Sequence, residues 1–243
     1  MRVGVCQTPE ILGDVDAAVR VVLDFAGQAD EAGLDLLLFP ECFLQGYLVT
    51  DEHVRAQAVE LAGPRFTTVL SELSGIRQMF VLGVIERSGG LYYNAAVVVA
   101  GGRVVGSYRK TFLTDGEAVF TAGDTYPVFT WRGLPFGINI CYDTQFPQAA
   151  AAVAARGARL LLVPAQNMMR RDKAYRWQER HNRIRTQRVH ETGMWLASAD
   201  VTGQRDEFRI GLGPTCVTAP TGQVVAQVPL GTVGIAIAEI NQR

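Results

Sequence analysis

The chain has 243 residues, 48% apolar and 19% charged, which is enough apolar material for a sizeable core and too much for a disordered chain. A formal net charge of −1 gives no general attraction to nucleic acid or to an anionic membrane surface, and the longest apolar runs are too short to cross a bilayer. Cys6, Cys42, Cys141 and Cys216 have no CxxC spacing, so neither a disulfide framework nor a zinc site is expected.

Met1 runs straight into the strand-like RVGVCQT with no apolar signal region, which predicts a cytoplasmic protein with reduced thiols. In chain order, VGVCQ reads as a strand and 14–32 as a helix. LDLLLFP follows as a strand buried on both faces, since its leucines show no polar alternation. A helix near 51–75 precedes the strand MFVLGVIE and the hairpin NAAVVVAGGRVVGSY, which turns at Gly101 and Gly102. The second half repeats the order with FGINICYD, a helix over 146–156, the strand LLLVP and a helix over 171–192. MWLASADV, the hairpin TCVTAPTGQVVAQV with its turn at Thr221 and Gly222, and a last strand near 232–239 complete it.

The internal likeness is plainest between EAGLDLLLFPE and ARGARLLLVPA, where Gly33 and Gly157 stand at the place of a helix C-cap. Two such halves, each a sheet with its helices on one side, would pack sheet against sheet. The expected fold is α/β, a four-layer α-β-β-α sandwich with an internal pseudo-two-fold duplication. No linker rich in Pro, Gly or Ser separates the halves, so a single domain over 1–243 is expected.

Ligands of open α/β sheets gather at the carboxyl ends of strands. Cys6 and Cys141 read as matching positions at the end of the first strand of each half, and only Cys141 is followed by a short polar corner and a helix. Glu41 comes straight after LDLLLFP; Lys110 follows the hairpin in GSYRKTFL, with Glu117 shortly behind. Singly, each has a plainer reading: a core thiol, an N-cap or loop acid, a solvated edge charge and a surface acid. Together they suit one chemistry. A thiol needs a base or a cation to act as a nucleophile. Glu41 is the candidate to take the proton and return it to a leaving amine. Lys110 is the candidate to hold an oxyanion, with the amide N–H of Tyr142 as a second donor.

FPECFLQGY, YRKTFL with Glu117 behind it, and GINICYDTQFP resemble the three sequence blocks of the nitrilase superfamily, the carbon–nitrogen hydrolases. The resemblance spans essentially the whole chain. It implies the same sandwich, with Glu41 as general base, Lys110 as electrophilic stabiliser and Cys141 as nucleophile. Glu117 would match a second glutamate that orients Lys110 or substrate. The implied reaction cleaves a small linear amide or an N-carbamoyl compound through a thioester, releasing ammonia or an amine. No metal or organic cofactor is implied. Hydrolysis of a nitrile is the alternative within the same chemistry, and a catalytically silent binding module is the alternative outside it. A homodimer or higher homo-oligomer is also implied. Gln145 and Gln148 depart from the Arg and Glu frequent at those places, which leaves the chemistry standing and blurs the branch.

Arg170, Arg171, Lys173, Arg176, Arg180, Arg183, Arg185 and Arg188 crowd one helix with Asp172, Glu179 and Glu191 between them. The plain expectation is a salt-bridged, solvated or subunit-facing helix. The sharper one is that Arg170 or Arg171, nearest the preceding strand end, binds a substrate carboxylate. Tyr47, Gln166 and Asn167 follow functional strand ends and are expected near the pocket. His53, His181 and His190 lie away from the three blocks and are read as surface or helix-face residues. Gly211, Gly213 and Pro214 read as a turn rather than a phosphate cradle.

Overall fold

The computed structural model describes residues 1–241; residues 242 and 243, the end of the domain expected over 1–243, lie outside the described residues. The first half runs β1 (Arg2–Pro9), α1 (Val15–Glu31), β2 (Leu36–Leu38), α2 (Asp51–Gln57), α3 (Pro64–Glu72), β3 (Met79–Ser88), β4 (Leu91–Ala100) and β5 (Arg103–Arg109). The second runs β6 (Val128–Trp131), β7 (Leu134–Ile138), α4 (Pro147–Ala154), β8 (Leu160–Pro164), β9 (Met168–Arg170) and α5 (Arg171–Thr192). It ends with β10 (Trp195–Gln204), β11 (Arg209–Leu212), β12 (Cys216–Thr218), β13 (Val224–Gln227) and β14 (Gly234–Glu239).

Local chemistry sets several of these boundaries. The Asp14 carboxylate caps α1 by accepting from Ala17 N at 2.8 Å, and Gly33 ends it at φ +61°. The helix expected over 51–75 is two helices: the chain turns extended at Ala58, Val59 bridges Glu86 of β3, and Pro64 then occupies the first position of α3, where its missing N–H costs nothing. The β4–β5 hairpin turns at Gly101 and Gly102, both at positive φ, as its sequence predicts.

Strands β3, β2, β1, β10, β8 and β7 run parallel, and β4–β5 and β6 add antiparallel edges. β10 belongs to both halves: Trp195 to Ala199 pair with β8, while Asp200 to Thr202 pair with β1. β14 returns from the second half to pair antiparallel with β1.

Side-chain alternation then builds the layers. Leu36 and Leu38 face Phe136, Ile138, Leu160 and Leu162 in a core between the sheets. Leu37, Phe39 and Phe80 face α1 and α3, and Leu161, Val163 and Leu196 face α4 and α5. Helix, sheet, sheet, helix is therefore the observed order, matching the expected sandwich.

The registers correct one expectation. Val3 and Val5 pair with Leu36 and Leu38, and Phe136 and Ile138 pair with Leu160 and Leu162. With the leucine runs superposed, Thr8 corresponds to Cys141, and Cys6 corresponds to Asn139. Cys6 lies within β1, fully buried against the helices, where burial pushes its thiol well above the ordinary range.

Candidate active site

After β7 the chain continues through Asn139 and Ile140 and turns at Cys141, whose φ is +42°. That conformation is costly for a residue with a Cβ and persists only where the surroundings impose it. Here Asp143 imposes it. Its buried carboxylate accepts hydrogen bonds from Ile140 N (2.8 Å), Phe112 N (2.8 Å) and Tyr108 Oη (2.7 Å). Thr144 Oγ1 closes the turn by donating to the Cys141 carbonyl at 2.7 Å. The corner is thereby tied to the segment after β5 that carries Lys110.

Lys110 Nζ sits 2.7 Å from Glu41 Oε1 and 2.8 and 2.9 Å from the two oxygens of Glu117. Asn94 Nδ2, from the middle of β4, donates to the same Glu41 Oε1 at 2.7 Å and to Glu117 Oε1 at 3.1 Å. All four side chains are 0–1% exposed. Both donors act on Oε1 of Glu41, which leaves Oε2 as the oxygen available to the pocket.

The electrostatics separate the two carboxylates. Burial pushes the Glu41 carboxyl up and Glu117 adds to this, while Lys110 opposes it. Burial works the same way on Glu117, but Lys110 and the Thr114 N–H hold that carboxyl below the usual range. Lys110 is also buried, yet Glu41, Cys141 and Glu117 keep it firmly protonated. The Cys141 thiol is pushed up, by burial first and then by the Glu41 charge; Lys110 and a backbone hydrogen bond from Gln166 pull the other way. A resting thiol beside a protonated Lys110 and an ionised Glu117 is the result.

Glu41, Lys110 and Cys141 line one cleft of about 440 Å³ together with Tyr47, Tyr142, Gln166 and Asn167. Glu117 lies behind Lys110, out of the cleft. Tyr47 is held well above the usual phenol range by burial and by Glu41. Gln166 Nε2 donates to Glu10, which is itself gripped by Arg205. The side-chain amide and backbone N–H of Asn167 both donate to buried Asp200.

Arg170 and Arg171 are not in the cleft, contrary to expectation. Arg170 precedes α5 with its side chain 75% exposed, 3.9 Å from Asp172, and Arg171 begins the helix on the solvent side. The face of α5 that reaches the cleft comes later, with Lys173, Trp177, Arg180, His181 and Arg185. His181 is therefore a wall residue, whereas His53 and His190 bond only to the backbone carbonyls of Gly46 and Thr221. Asn94 and Asp200 were also unread. Asn94 is the lone amide in an apolar strand and Asp200 the one charged residue of β10, and a buried polar group that needs partners is the signal that marks each. Among the described residues no group of three or more His, Cys, Asp or Glu side chains is arranged to hold a metal ion, and no helix is long and apolar enough to cross a membrane.

Comparison with known proteins bears on the same site. The chain is 31% identical to an (R)-stereoselective amidase of Pseudomonas sp. over 79% of this chain and 68% of that one. It is 28% identical to a nitrilase of Pyrococcus abyssi over 88% of this chain and 79% of that one. Among solved structures, a variant of the amidase from Nesterenkonia sp. AN1, with acrylamide added at its active-site cysteine, superposes with a TM-score of 0.83. That pair shares 27% identity over 99% of this chain and 93% of the other. The model of the carbon–nitrogen hydrolase family matches residues 2–243, and with that match the chain belongs to this family, within the nitrilase superfamily.

Proposed function

We propose that the protein is a cysteine-dependent amidase acting on a small linear amide or an N-carbamoyl compound. The observation that carries this reading is one cleft lined by the strained Cys141 corner and by the buried Glu41–Lys110 pair, with Glu117 behind Lys110. Glu41 takes the Cys141 proton as sulfur attacks the carbonyl carbon. The C–O double bond opens to an oxyanion beside the Lys110 ammonium and the Tyr142 N–H. As the carbonyl re-forms, the C–N bond breaks and Glu41 returns the proton to the departing nitrogen, leaving a thioester. Water then attacks the thioester, giving a proton to Glu41; the C–S bond breaks and the thiol is restored. Glu117 and Asn94 hold Lys110 and Glu41 in place. The proposal includes a homodimer, from the family resemblance, working in the cytoplasm.

Nitrile hydrolysis is the second reading, favoured by the Pyrococcus abyssi relative. A panel of amides, N-carbamoyl amino acids and nitriles, scored for ammonia release against Cys141→Ala protein, tests both. Ammonia from amides or carbamoyl compounds, lost in Cys141→Ala, is the expected result. Release from nitriles alone would replace the first reading with the second, and release from none would favour the silent module.

A further inference from the structure

Lys173, Trp177, Arg180, His181 and Ile184 recur along α5 at spacings that put them on one helix face, and all of them line the cleft. Trp177 is flanked by cations: the Arg180 guanidinium carbon stands 4.4 Å from the ring centroid and Lys173 Nζ 5.5 Å. Stacking on the ring holds each cation and leaves its N–H groups free for another partner. Among the described residues no carboxylate lies within ion-pair distance of either. Asp172, next to Lys173 in sequence, is taken by Arg170 and Arg176, and Glu179, next to Arg180, makes no ion pair with it. Arg185, deeper in the wall, is already balanced by Asp200 at 3.7 Å and the Pro214 carbonyl at 2.7 Å. The wall between them is neutral. Burial, then Arg185, Lys173 and Arg180, hold the His181 imidazole at about 3, so it adds no charge near pH 7.

Two cations stacked on one ring, with no carboxylate partner among the described residues, lining the cleft that also holds Cys141, invite a compact anion. We infer that Lys173 and Arg180 form a subsite for a carboxylate on the substrate, remote from the C–N bond that is broken. This rests on the amidase reading and narrows it to amides or carbamoyl compounds that carry a free acid. The acid belongs either to the acyl portion, as in the monoamide of a short dicarboxylic acid, or to the departing amine, as in an N-carbamoyl amino acid.

Matched pairs separate these sources and test the subsite. Glutaramic acid is compared with pentanamide, and N-carbamoyl-β-alanine with propylurea, each pair differing in a carboxylate against a methyl group. The acid of at least one pair is expected to be preferred roughly tenfold or more in kcat/KM, as for a hydrogen bond to a charged group. In a Lys173→Met, Arg180→Met protein that ratio should collapse towards one, through KM rather than kcat. Glutarate, titrated by calorimetry, should bind the parent protein and not the double variant. A preference for both neutral partners, a ratio unmoved in the variant, or no glutarate binding overturns the subsite. Glutarate binding that depends on the two cations, with no ammonia from any of the four compounds, supports the subsite and refutes the amidase reading.

Discussion

One ammonium, that of Lys110, holds two carboxylates, and their unequal surroundings assign them different work. Glu117 has the Thr114 N–H as well as Lys110 and stays ionised; Glu41, raised by burial and by Glu117, is the one suited to the proposed proton transfer. In the proposed mechanism Glu41 acts as a base only when ionised, so kcat/KM should rise with pH through a limb above the usual carboxylate range. Replacing Glu117 by Gln removes a like charge, so the Glu41 pKa falls and the limb moves to lower pH. The same change loosens Lys110 and should cost roughly 10²-fold in kcat. A pH profile of kcat/KM in both proteins checks this; a limb that stays put would mean Glu41 is not the titrating base. At this scale the three blocks made Glu41, Lys110, Glu117 and Cys141 legible. Asn94 was hidden because an amide inside YYNAAVVV shows its purpose only once both carboxylates are seen beside it.

Among the elements, β3 supports the base by having no side chain at Gly83. A Cβ there would lie 2.1 Å from the Pro40 carbonyl oxygen and 2.4 Å from Cys42 N, on either side of Glu41. Gly83→Ala must therefore push the segment after β2 away from Lys110. It is expected to lower kcat roughly 10²-fold and stability by about 1–3 kcal/mol. Gly75→Ala, where a Cβ meets nothing within 4 Å, is the control. Steady-state kinetics with urea midpoints checks the pair, and equal kcat in both proteins would contradict the tight backing of Glu41. Element reading succeeded on the leucine runs, whose unbroken apolar character marks strands buried on both faces, and missed β9, a half-exposed Met-Met-Arg with neither an apolar run nor alternation. It also misplaced the cations of α5 that reach the cleft. Proximity to a strand end favoured Arg170 and Arg171, whereas the helix turns its cleft-facing stripe inward only from Lys173 onward.

Across the whole molecule, neither half contains the site. Glu41 and Lys110 follow β2 and β5 of one sheet, Cys141 and Gln166 follow β7 and β8 of the other, and β10 joins both by pairing with β1 and β8. The duplication was legible because two leucine runs, each just after a helix-ending glycine, survive in the sequence. The exact correspondence was not, since a two-residue offset between Cys6 and Thr8 keeps the same strand face and appears only in the register. What the two sheets bring together is one sulfur atom within the field of an acid and an ammonium. Peptide mass spectrometry of the protein quenched in acid while it turns over a simple amide tests that claim most directly. The account predicts the acyl group as a thioester on the peptide containing Cys141; an adduct on any other residue, with the Cys141 peptide unmodified, would contradict it.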